Sequence, residues 1–460
     1  MNLAKQVLLL LEENKLLRED NSLLRLRVIE QDKRISELEE LLRKAKIHIN
    51  SSNSSKPPSS DISRPKRNQS LRRKSGRKSG GQPGHKGTTL LMSDKPDIVE
   101  ELIPNYCNDC GKDLENIEPE FVSKRQVIDI PPITTITTEY RKNAKKCPHC
   151  GNIQHASYPK NVRNNVQYGS NVEAAIAYLS IYQYVPYKRL KECLQHFFGL
   201  NISEGSIDNI INRMAIKAFP LYNRIKETIL LSNQAGSDES SVKINGKNWW
   251  AWVWQTWQST FISISQNRGS ETINRLFPAG FENTILNSDR WAAQLKTKAK
   301  GHQLCLAHLL RDLNYLLELE KNDWSEKVKQ IFKEAIKHKN KVPESKPDNT
   351  IAIQLERKFD LLLKANIPKI SNKKTLTFQK SLIKHRDSIF TFLYNAEVPA
   401  DNNASERAVR NIKVKQKISG QFKSGQNCFS ILRSVIDTCL KRNVDILFAL
   451  NSIAKLNPAE

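Results

Sequence analysis

The first 49 residues place apolar side chains at a seven-residue spacing, and neither glycine nor proline interrupts them. Leucine fills almost every d position; these positions are Leu3, Leu10, Leu17, Leu24, Gln31 and Leu38. The a positions are Val7, Asn14, Asn21, Val28, Ile35, Leu42 and Ile49. Mostly β-branched residues at a with Leu at d favour a parallel two-stranded coiled coil, and Asn at a fixes its register. Residues 1–49 are therefore predicted to be a coiled-coil dimerisation helix.

Charged residues beside this seam agree with a parallel pair of helices. In such a pair, position g of one helix faces position e of the next heptad in the other helix. The four pairs of this kind are opposite in sign: Glu13–Arg18, Asp20–Arg25, Arg27–Asp32 and Arg34–Glu39. An amphipathic helix packed on its own domain is the alternative, and it would not need this agreement. The expected partner is a second copy of the chain, in a homodimer or a higher homo-oligomer.

A second helical pattern covers residues 165–230. Its first helix has an apolar face, made of Ala174, Ala175, Tyr178 and Leu179. A helix at about 187–198 ends at Gly199, and Ser203 is predicted to cap the next one. A helix, a glycine-containing turn and a capped helix outline a helix-turn-helix, but ordinary helical domains share this outline. DNA binding and plain helix packing are both kept as interpretations of this region.

Between residues 240 and 289 the pattern becomes that of strands. Three strands joined by short turns are predicted at 240–246, 249–257 and 260–265. A helix at about 270–277, a buried strand at 284–289 and a helix from residue 305 follow. This order matches the start of an α/β fold of the RNase H-like type. The tryptophans of the second strand are expected to pack across strands rather than to stack on bases.

The net charge indicates a polyanionic partner. Lys and Arg number 73 against 48 Asp and Glu, which gives +25. Nucleic acid is the first candidate and an acidic membrane surface is the second. No run of about 18 apolar residues is present, so no transmembrane helix is expected. The apolar start from Val7 to Leu11 is too short for a signal peptide. We therefore expect an intracellular protein without a membrane partner.

Residues 50–95 are predicted to be a basic, disordered linker. The Ser- and Pro-rich stretch SSNSSKPPSSD cannot bury a core. Nine Lys or Arg and no acidic residue lie between Arg64 and Lys86. Such a segment suits sequence-independent neutralisation of DNA phosphates, and a merely solubilising linker is the alternative. The expected DNA contacts are Arg64, Lys66, Arg67, Arg72, Arg73, Lys74, Arg77 and Lys78.

Two copies of Cys-x-x-Cys-Gly predict a zinc ribbon over residues 96–160. The cysteine pairs are Cys107–Cys110 and Cys147–Cys150. The glycine after each pair permits a tight turn that directs both thiolates to one ion. Four thiolates form a closed tetrahedral site, which is structural rather than catalytic. One structural Zn²⁺ is therefore expected, since buried structural thiols explain the repeated motif poorly.

Three acidic residues occur where separate elements can converge. Asp238 opens the first predicted strand and Asp289 closes the fourth. Glu406 lies at a predicted helix start, with Asn402 or Ser405 near its cap. Phosphoryl transfer with two divalent metal ions needs oxygen ligands that meet from separate elements. The three acids are therefore the candidate catalytic residues and the candidate ligands of two Mg²⁺ ions, although one such acid alone is more often a solvated surface group.

Basic residues follow Glu406 along the same predicted helix. They are Arg407, Arg410, Lys413, Lys415 and Lys417. They are placed to neutralise DNA phosphates, and a solvated basic helix face is the alternative.

The chain resembles the IS66-type insertion-sequence transposases along nearly its whole length. The matching segments are SSKPPSSD (54–61), GGQPGHKG (80–87), both Cys-x-x-Cys-Gly pairs, SDES (237–240), CLAH (305–308), NNASERAVR (402–410) and KQKISGQFKS (415–424). Their order and spacing make the resemblance specific. It implies a DDE transposase with an RNase H-like catalytic domain over residues 231–425. It further implies that a mostly helical insertion, about 315–395, separates the second Asp from the Glu, and that the protein acts in the bacterial cytoplasm, associated with the nucleoid. Residues 426–460 are predicted to form a C-terminal helical element.

The resemblance also implies a Cys-x-x-His pair, here Cys305 and His308. Both are expected to be structural or to orient DNA, and metal ligation together with His302 is the alternative. The sequence departs from the family's pattern beside two of the acids. Ser240 stands where the family usually has Thr, and Arg290-Trp291 stand where it usually has Gly-Tyr.

The resulting hypothesis is a transposase that dimerises through its first helix, holds the inverted-repeat ends of its element, and joins them to target DNA. A non-enzymatic zinc-ribbon DNA-binding protein or an inactive transposase remnant is one alternative. An RNase H-like nuclease that cuts without joining is another. Metal-dependent cleavage separates the first alternative from the hypothesis, and joined products separate the second.

Overall fold

The computed structural model describes residues 3–45, 53, 84, 90–131, 133–341, 349–365 and 373–456. The chain forms two compact units. One contains residues 72–165 and 187–207, and the other contains residues 1–71, 166–186 and 208–460.

Strands and helices have the following bounds within the described ranges. The strands are β1 (Ala144–Lys146), β2 (Ile153–His155), β3 (Gln234–Ile244), β4 (Lys247–Gln255), β5 (Thr260–Ser265), β6 (Phe281–Ser288) and β7 (Ala299–Leu304). The helices are α1 (Leu3–Ala45), α2 (Ser170–Ala177), α3 (Tyr187–Phe198), α4 (Glu204–Leu230), α5 (Ser270–Leu276), α6 (Ala292–Leu295), α7 (Leu306–Leu319), α8 (Asp323–Lys339), α9 (Asn349–Lys364), α10 (Lys373–Lys384), α11 (Thr391–Tyr394), α12 (Asn403–Ser419), α13 (Gln426–Lys441) and α14 (Ile446–Lys455). A π-helix (Tyr178–Tyr182) follows α2, and a 3₁₀ turn (Arg386–Ser388) follows α10.

The N-terminal segment is one continuous helix, α1, of 43 residues. Its seam positions are solvent-exposed, since Val7, Leu10, Leu17 and Val28 each keep more than half of their surface accessible. A helix of this length with an exposed apolar seam suits association with another helix. The pairing itself stays a prediction.

The unit that contains both Cys-x-x-Cys-Gly motifs has a small antiparallel hairpin, in which Lys145 of β1 lies opposite Gln154 of β2. In the same unit, α3 ends at Gly199, whose φ of +65° continues the chain into a turn. The Ser203 hydroxyl accepts a hydrogen bond from the Ser206 N–H at 3.0 Å and so caps α4. The predicted helix, turn and capped helix are therefore present, and their role in DNA binding stays a prediction.

Five strands form one mixed sheet in the order β5-β4-β3-β6-β7. β4 is antiparallel to both of its neighbours, β3 and β5, and β6 and β7 run parallel to β3. The three predicted hairpin strands are present, but β3 begins at Gln234, six residues before the predicted start at residue 240. The sequence does not predict β7. Half of the residues in its sequence, AKGHQL, are polar, and apolar and polar residues do not alternate regularly along it.

The tryptophans of β4 pack in the core, as expected. Trp252 and Trp254 are fully buried, and their rings stack with centroids 5.6 Å apart. Phe261 of β5 lies on the same face of the sheet, where Tyr222 of α4 stacks on it at 4.6 Å. The Tyr222 hydroxyl donates to the carbonyl of Ile262. α12 packs against β3 and β4.

The edge strand β5 is covered by α13. The Ser434 hydroxyl accepts a hydrogen bond from the Ile262 N–H at 2.9 Å, and the Thr438 hydroxyl accepts one from the Thr260 N–H at 3.1 Å. An edge strand would otherwise present these donors to another sheet. The C-terminal residues, which the sequence predicted only as a helical element, are thus attached to the sheet.

Helices α8 to α11 occupy the place of the predicted helical insertion. Phe332, Phe359 and Phe390 form its aromatic centre, with ring centroids 5.2 to 6.1 Å apart. This core is continuous with Leu309 and Leu313 of α7. Across the described ranges, every helix is too short or too polar to cross a membrane.

Candidate active site

Asp238 lies on β3, and Asp289 directly follows the neighbouring parallel strand β6. The register pairs Gln234 with Ile285 and Gly236 with Asn287. Continued by two residues, it sets Asp238 level with Asp289, which directly follows β6. Because side chains two residues apart on a strand point to the same face, Asp238 shares a face with Gly236.

Gly236 lies where α12 approaches the sheet. A Cβ atom at this position would lie 2.5 Å from the Ser405 hydroxyl oxygen and 2.6 Å from Asn402 Oδ1. Glu406 follows Ser405 in the first turn of α12. The absence of a side chain at Gly236 therefore lets α12 bring Glu406 to the face that carries Asp238.

Asn402 fixes this approach with its side chain. Its Nδ2 donates to the Ser237 carbonyl at 2.6 Å, and its Oδ1 accepts from the Ser405 hydroxyl at 2.6 Å. Its backbone N–H donates to the Cys305 sulfur at 3.2 Å. Asn402 holds the cap position of α12, as predicted, but its side chain makes no capping hydrogen bond. It joins α12 to β3 instead.

The segment before Asn402 is held by β6. The buried Asn287 donates its side-chain amide to the Pro399 carbonyl at 2.7 Å and to the Asp401 carbonyl at 3.1 Å. Asn287 lies two residues before Asp289. The strand that leads to Asp289 thus also orients the segment that leads to Glu406.

The acids share one electrostatic environment. Burial raises the pKa of Asp238 well above its usual value, and the carboxylates of Glu239, Asp289 and Glu406 raise it further. Burial also raises the pKa of Asp289, against the lowering effect of the Trp291 N–H, which donates to Asp289 Oδ1 at 2.9 Å. A bound cation would relieve this repulsion, so the site is electrostatically suited to a metal ion.

Glu406 has one carboxylate oxygen with charged neighbours but without a hydrogen bond from a described residue. Among the described residues, its buried Oε1 has no hydrogen-bond partner. His308 Nε2 lies 3.8 Å from Oε1, and Arg311 Nη1 lies 3.7 Å from it. Burial, with Arg311 and Arg290 nearby, lowers the pKa of His308 to about 4. The neutral imidazole therefore accepts a hydrogen bond from Arg311 Nη1 at 3.2 Å instead of pairing with Glu406 as a cation.

Cys305 is a buried thiol in this arrangement. Burial raises its pKa to about 12, so it is protonated near neutral pH. His302, the third member of the alternative metal set, lies on β7, and its Nε2 forms a hydrogen bond with the Thr297 carbonyl at 3.1 Å. These contacts favour the structural interpretation of Cys305 over metal ligation.

Glu239 is a further buried acid beside the site. Arg268 donates to its Oε1 through Nη2 at 2.9 Å and through Nε at 3.1 Å, and Gln294 donates to its Oε2. Burial raises the pKa of Glu239, and the Asp289 carboxylate raises it further. The sequence signal for Glu239 was only its place next to Asp238. Its partner Arg268 lies 29 residues away, so spacing could not have paired them.

Two tryptophans enclose the guanidinium of Arg268. Its central carbon lies 3.7 Å from the ring centroid of Trp291 and 4.5 Å from that of Trp250. The Trp291 indole N–H donates to the Arg268 carbonyl at 3.2 Å. Since Trp291 also donates its backbone N–H to Asp289, this cation–π stack supports the turn that follows Asp289.

The predicted DNA-binding residues differ in their surroundings. Arg407 and Arg410 are exposed on α12. The ammonium group of Lys413 instead donates to the Ser241 carbonyl, and burial lowers its pKa. Lys413 is therefore engaged with β3 rather than fully available to a phosphate. The eight predicted contacts between Arg64 and Lys78 lie outside the described residues.

The two Cys-x-x-Cys-Gly motifs form matching turns. In each turn the glycine N–H donates to the carbonyl of the first cysteine, at 2.8 Å for Cys107 and at 2.9 Å for Cys147. Both glycines have a φ of +74°. Backbone N–H groups, first those of Cys110 and Cys150, lower the pKa of Cys107 and Cys147. This favours the thiolate form, which is the form that binds zinc.

The donor groups at both sites are of the types that the expected metals prefer, carboxylates for Mg²⁺ and thiolates for Zn²⁺. In the part of the chain that the structure describes, no three His, Cys, Asp or Glu side chains are grouped closely enough to hold a metal ion. Both sets of groups retain the donor chemistry that these metals need, since Glu406 Oε1 accepts no hydrogen bond from a described residue and the thiols of Cys107 and Cys147 have a lowered pKa.

Comparisons with solved structures and with curated proteins add little. Six chains of solved structures match. One belongs to a cryoEM structure of the simian T-cell lymphotropic virus intasome in complex with PP2A regulatory subunit B56 gamma. It is 10% identical, with 44% of this chain and 74% of that chain covered, and the TM-score of 0.15 is too low for a structural comparison. The comparison with curated proteins found no match.

Family models are more informative. A family of unknown function matches residues 9–90. The zinc-finger binding domain of transposase IS66 matches residues 104–151, which include all four cysteines of the repeated motif. The transposase IS66 family matches residues 165–428, more than half of the chain, and this range includes Asp238, Asp289 and Glu406. The resemblance seen in the sequence is thereby confirmed, and the chain belongs to the IS66 family of transposases.

Proposed function

We propose that the chain is a DDE transposase that cuts the ends of an insertion sequence and joins them to target DNA. The observation that carries the proposal is the approach of Glu406 to the sheet face on which Asp238 lies level with Asp289. The sheet order supports an RNase H-like core, with one acid on the central strand β3 and one directly after its parallel neighbour β6. Membership of the IS66 family supports the broader assignment as a transposase.

In this proposal, Asp238, Asp289 and Glu406 hold two Mg²⁺ ions. Such ions, when bound, activate the attacking oxygen and stabilise the leaving oxygen of a phosphoryl transfer. The chain's own groups position the acids: Asn402 holds the first turn of α12 against β3, and the Trp291 N–H holds Asp289. Burial strengthens the interactions of these carboxylates, because the surrounding dielectric is lower than that of water.

DNA binding is assigned to basic residues near and far from the acids. Arg407 and Arg410 are exposed on the helix that carries Glu406, where they can pair with phosphates close to the reacting bond. The basic segment from Arg64 to Lys78 would add sequence-independent affinity for the ends of the element and for the target.

Two further features complete the proposal. The four cysteines of the matching turns hold one structural zinc, in agreement with the zinc-finger family match. The exposed seam of α1 pairs with α1 of a second copy, because the flanking charges at g and e are complementary in a parallel pair.

The test is a cleavage and joining assay with the full chain, Mg²⁺ and duplex DNA that carries the inverted repeat flanking the gene. The expected products are a strand cut at the repeat end and, with target DNA present, a joined strand, and Asp238→Ala should abolish both. DNA binding without cleavage would favour a non-enzymatic DNA-binding protein. Cleavage without joined strands would favour a nuclease.

A further inference from the structure

A cavity of about 620 Å³ lies between α7 and α10, beside the candidate active site. Its walls include Arg290, Asp312, Tyr315, Lys373 and Phe378. The volume is in the range of small-molecule sites, about 300–1,000 Å³. A ligand of the size of one or two nucleotides fits it.

The lining of the cavity combines positive charge with aromatic rings. Arg290, Lys373 and Lys374 face a single acid, Asp312, so the lining carries a net positive charge. The ammonium group of Lys374 lies 4.7 Å from the ring centroid of Tyr315 and forms a hydrogen bond with its hydroxyl at 2.5 Å. Cations for phosphates and rings for bases are the two elements of a site for unpaired nucleic acid.

The inner wall of the cavity is held in place by its own contacts. Arg290 pairs with Asp312, donates to the Ser381 hydroxyl at 3.2 Å and lies 5.0 Å from the ring centroid of Phe378. Phe378 is buried, whereas Tyr315 is half-buried and Lys373 is exposed. The fixed part is thus Arg290 with Phe378, and Tyr315 with the lysines is the part that a ligand can reach from outside.

The cavity adjoins the acids on two sides. Arg290 directly follows Asp289, and Asp312 directly follows Arg311, whose Nη1 lies 3.7 Å from Glu406 Oε1. A DNA strand whose reacting phosphate lies at the acids would therefore pass the cavity close to the bond being cut.

We propose that this cavity binds an unpaired nucleotide of the DNA strand next to the cleavage site, with its base against Tyr315 and its phosphate near Lys373. The inference rests on the proposed function as a DNA-cutting transposase. Removing a base from the duplex costs free energy, and a stacking platform offsets this cost. The cavity would thereby favour DNA ends that are already unpaired.

The experiment compares the affinity of the full chain for two labelled duplexes of one sequence, one fully paired and one with its last nucleotides unpaired. The unpaired end should bind roughly tenfold more tightly. Tyr315→Ala should remove this preference, and Tyr315→Phe, which keeps the ring, should retain it. Lys373→Ala should weaken binding of the unpaired end, whereas Lys380→Ala, an exposed lysine of the same helix that does not line the cavity, should leave the preference unchanged.

Three results would overturn the inference. Equal affinity for both ends in the wild-type chain would do so, and so would a preference that survives both Tyr315→Ala and Lys373→Ala. A free nucleoside monophosphate is added as a competitor in the third case. If it displaces the unpaired DNA end from Lys373→Ala as readily as from wild type, that DNA is bound outside the cavity. Cleavage of inverted-repeat DNA is measured on the same preparations. A chain that cuts but shows no preference loses only this inference, whereas a chain that never cuts loses the proposed function.

Discussion

Asn402 donates its side-chain amide to the Ser237 carbonyl at 2.6 Å, and so the helix that carries Glu406 is attached to the residue before Asp238. The same side chain accepts from the hydroxyl of Ser405, the residue before Glu406. Neutral groups thus set the relative positions of two acids that repel each other. A buried network of this kind depends on every member being satisfied.

Gly236→Ala should disturb this network directly. The new methyl group would lie within 3 Å of the Ser405 hydroxyl, the Asn402 amide and the Gln255 amide, so α12 must shift away from β3. We expect a loss of about 1–3 kcal/mol in the free energy of unfolding, together with a lower cleavage rate. Urea unfolding measures the first quantity. Gly301→Ala in β7 is the matched control, because its methyl group would meet Ile285 at an ordinary 3.7 Å. Equal effects of the two substitutions would contradict the close approach.

The elements that could be predicted from the sequence are those with a local pattern of apolar and polar residues. The heptads predicted α1, and alternation predicted the hairpin strands. It could not predict β7, whose residues lack alternation, or the pairing of Glu239 with Arg268, which is a tertiary contact. Motif order proposes Asp238, Asp289 and Glu406 as the catalytic acids, but the role of Asn402 as a link to β3 depends on a fold that brings residues 165 positions apart together.

Zinc content should depend on both cysteine turns. If one ion is shared, Cys107→Ser and Cys147→Ser should each remove about one zinc per chain, since either change leaves an incomplete tetrahedral site. Elemental analysis of the purified chain measures this content. Cys439→Ser, a half-buried cysteine on α13, is the control and should retain the zinc. Unchanged zinc in Cys147→Ser would refute the four-thiolate site.

Association through α1 should depend on heptad position rather than on hydrophobicity. Leu17 at d and Leu16 at c are adjacent and exposed to 54% and 61%. Leu17→Asp should place a charge in the seam and give a monomer, whereas Leu16→Asp should remain a dimer. Size-exclusion chromatography with light scattering measures the mass. Two variants with the same mass would count against the proposed register.

Lys441 should make stability depend on pH in the alkaline range. Burial lowers its pKa from 10.5 to about 8, while its ammonium group donates to Gln255 and to the carbonyls of Thr256 and Ser259. The unfolded chain then holds this proton more tightly than the folded chain between pH 8 and 10.5, so stability should rise with pH across this window. This contribution to stability is complete above pH 10.5, and it is lost as the pH falls through 8.

The measurement is the difference in unfolding free energy between wild type and Lys441→Met, taken by urea unfolding at several pH values. Relative to the variant, wild type should gain at most about 1.4 kcal/mol per pH unit within the window. A difference that stays constant would show that the pKa of Lys441 is not lowered.

The most direct test of Asp238, Asp289 and Glu406 as catalytic acids is the rate at which Asp289→Asn cleaves inverted-repeat DNA in the presence of Mg²⁺. Asp289 is chosen because its neighbours depart most from the family's pattern. Glu282→Gln is the matched control, since Glu282 is an exposed acid of the same strand that pairs with Lys298. We predict that Asp289→Asn binds DNA normally but cleaves it on the order of 10²-fold more slowly, whereas Glu282→Gln cleaves at the wild-type rate. Cleavage by Asp289→Asn at the wild-type rate would contradict the assignment of Asp289 as a catalytic acid.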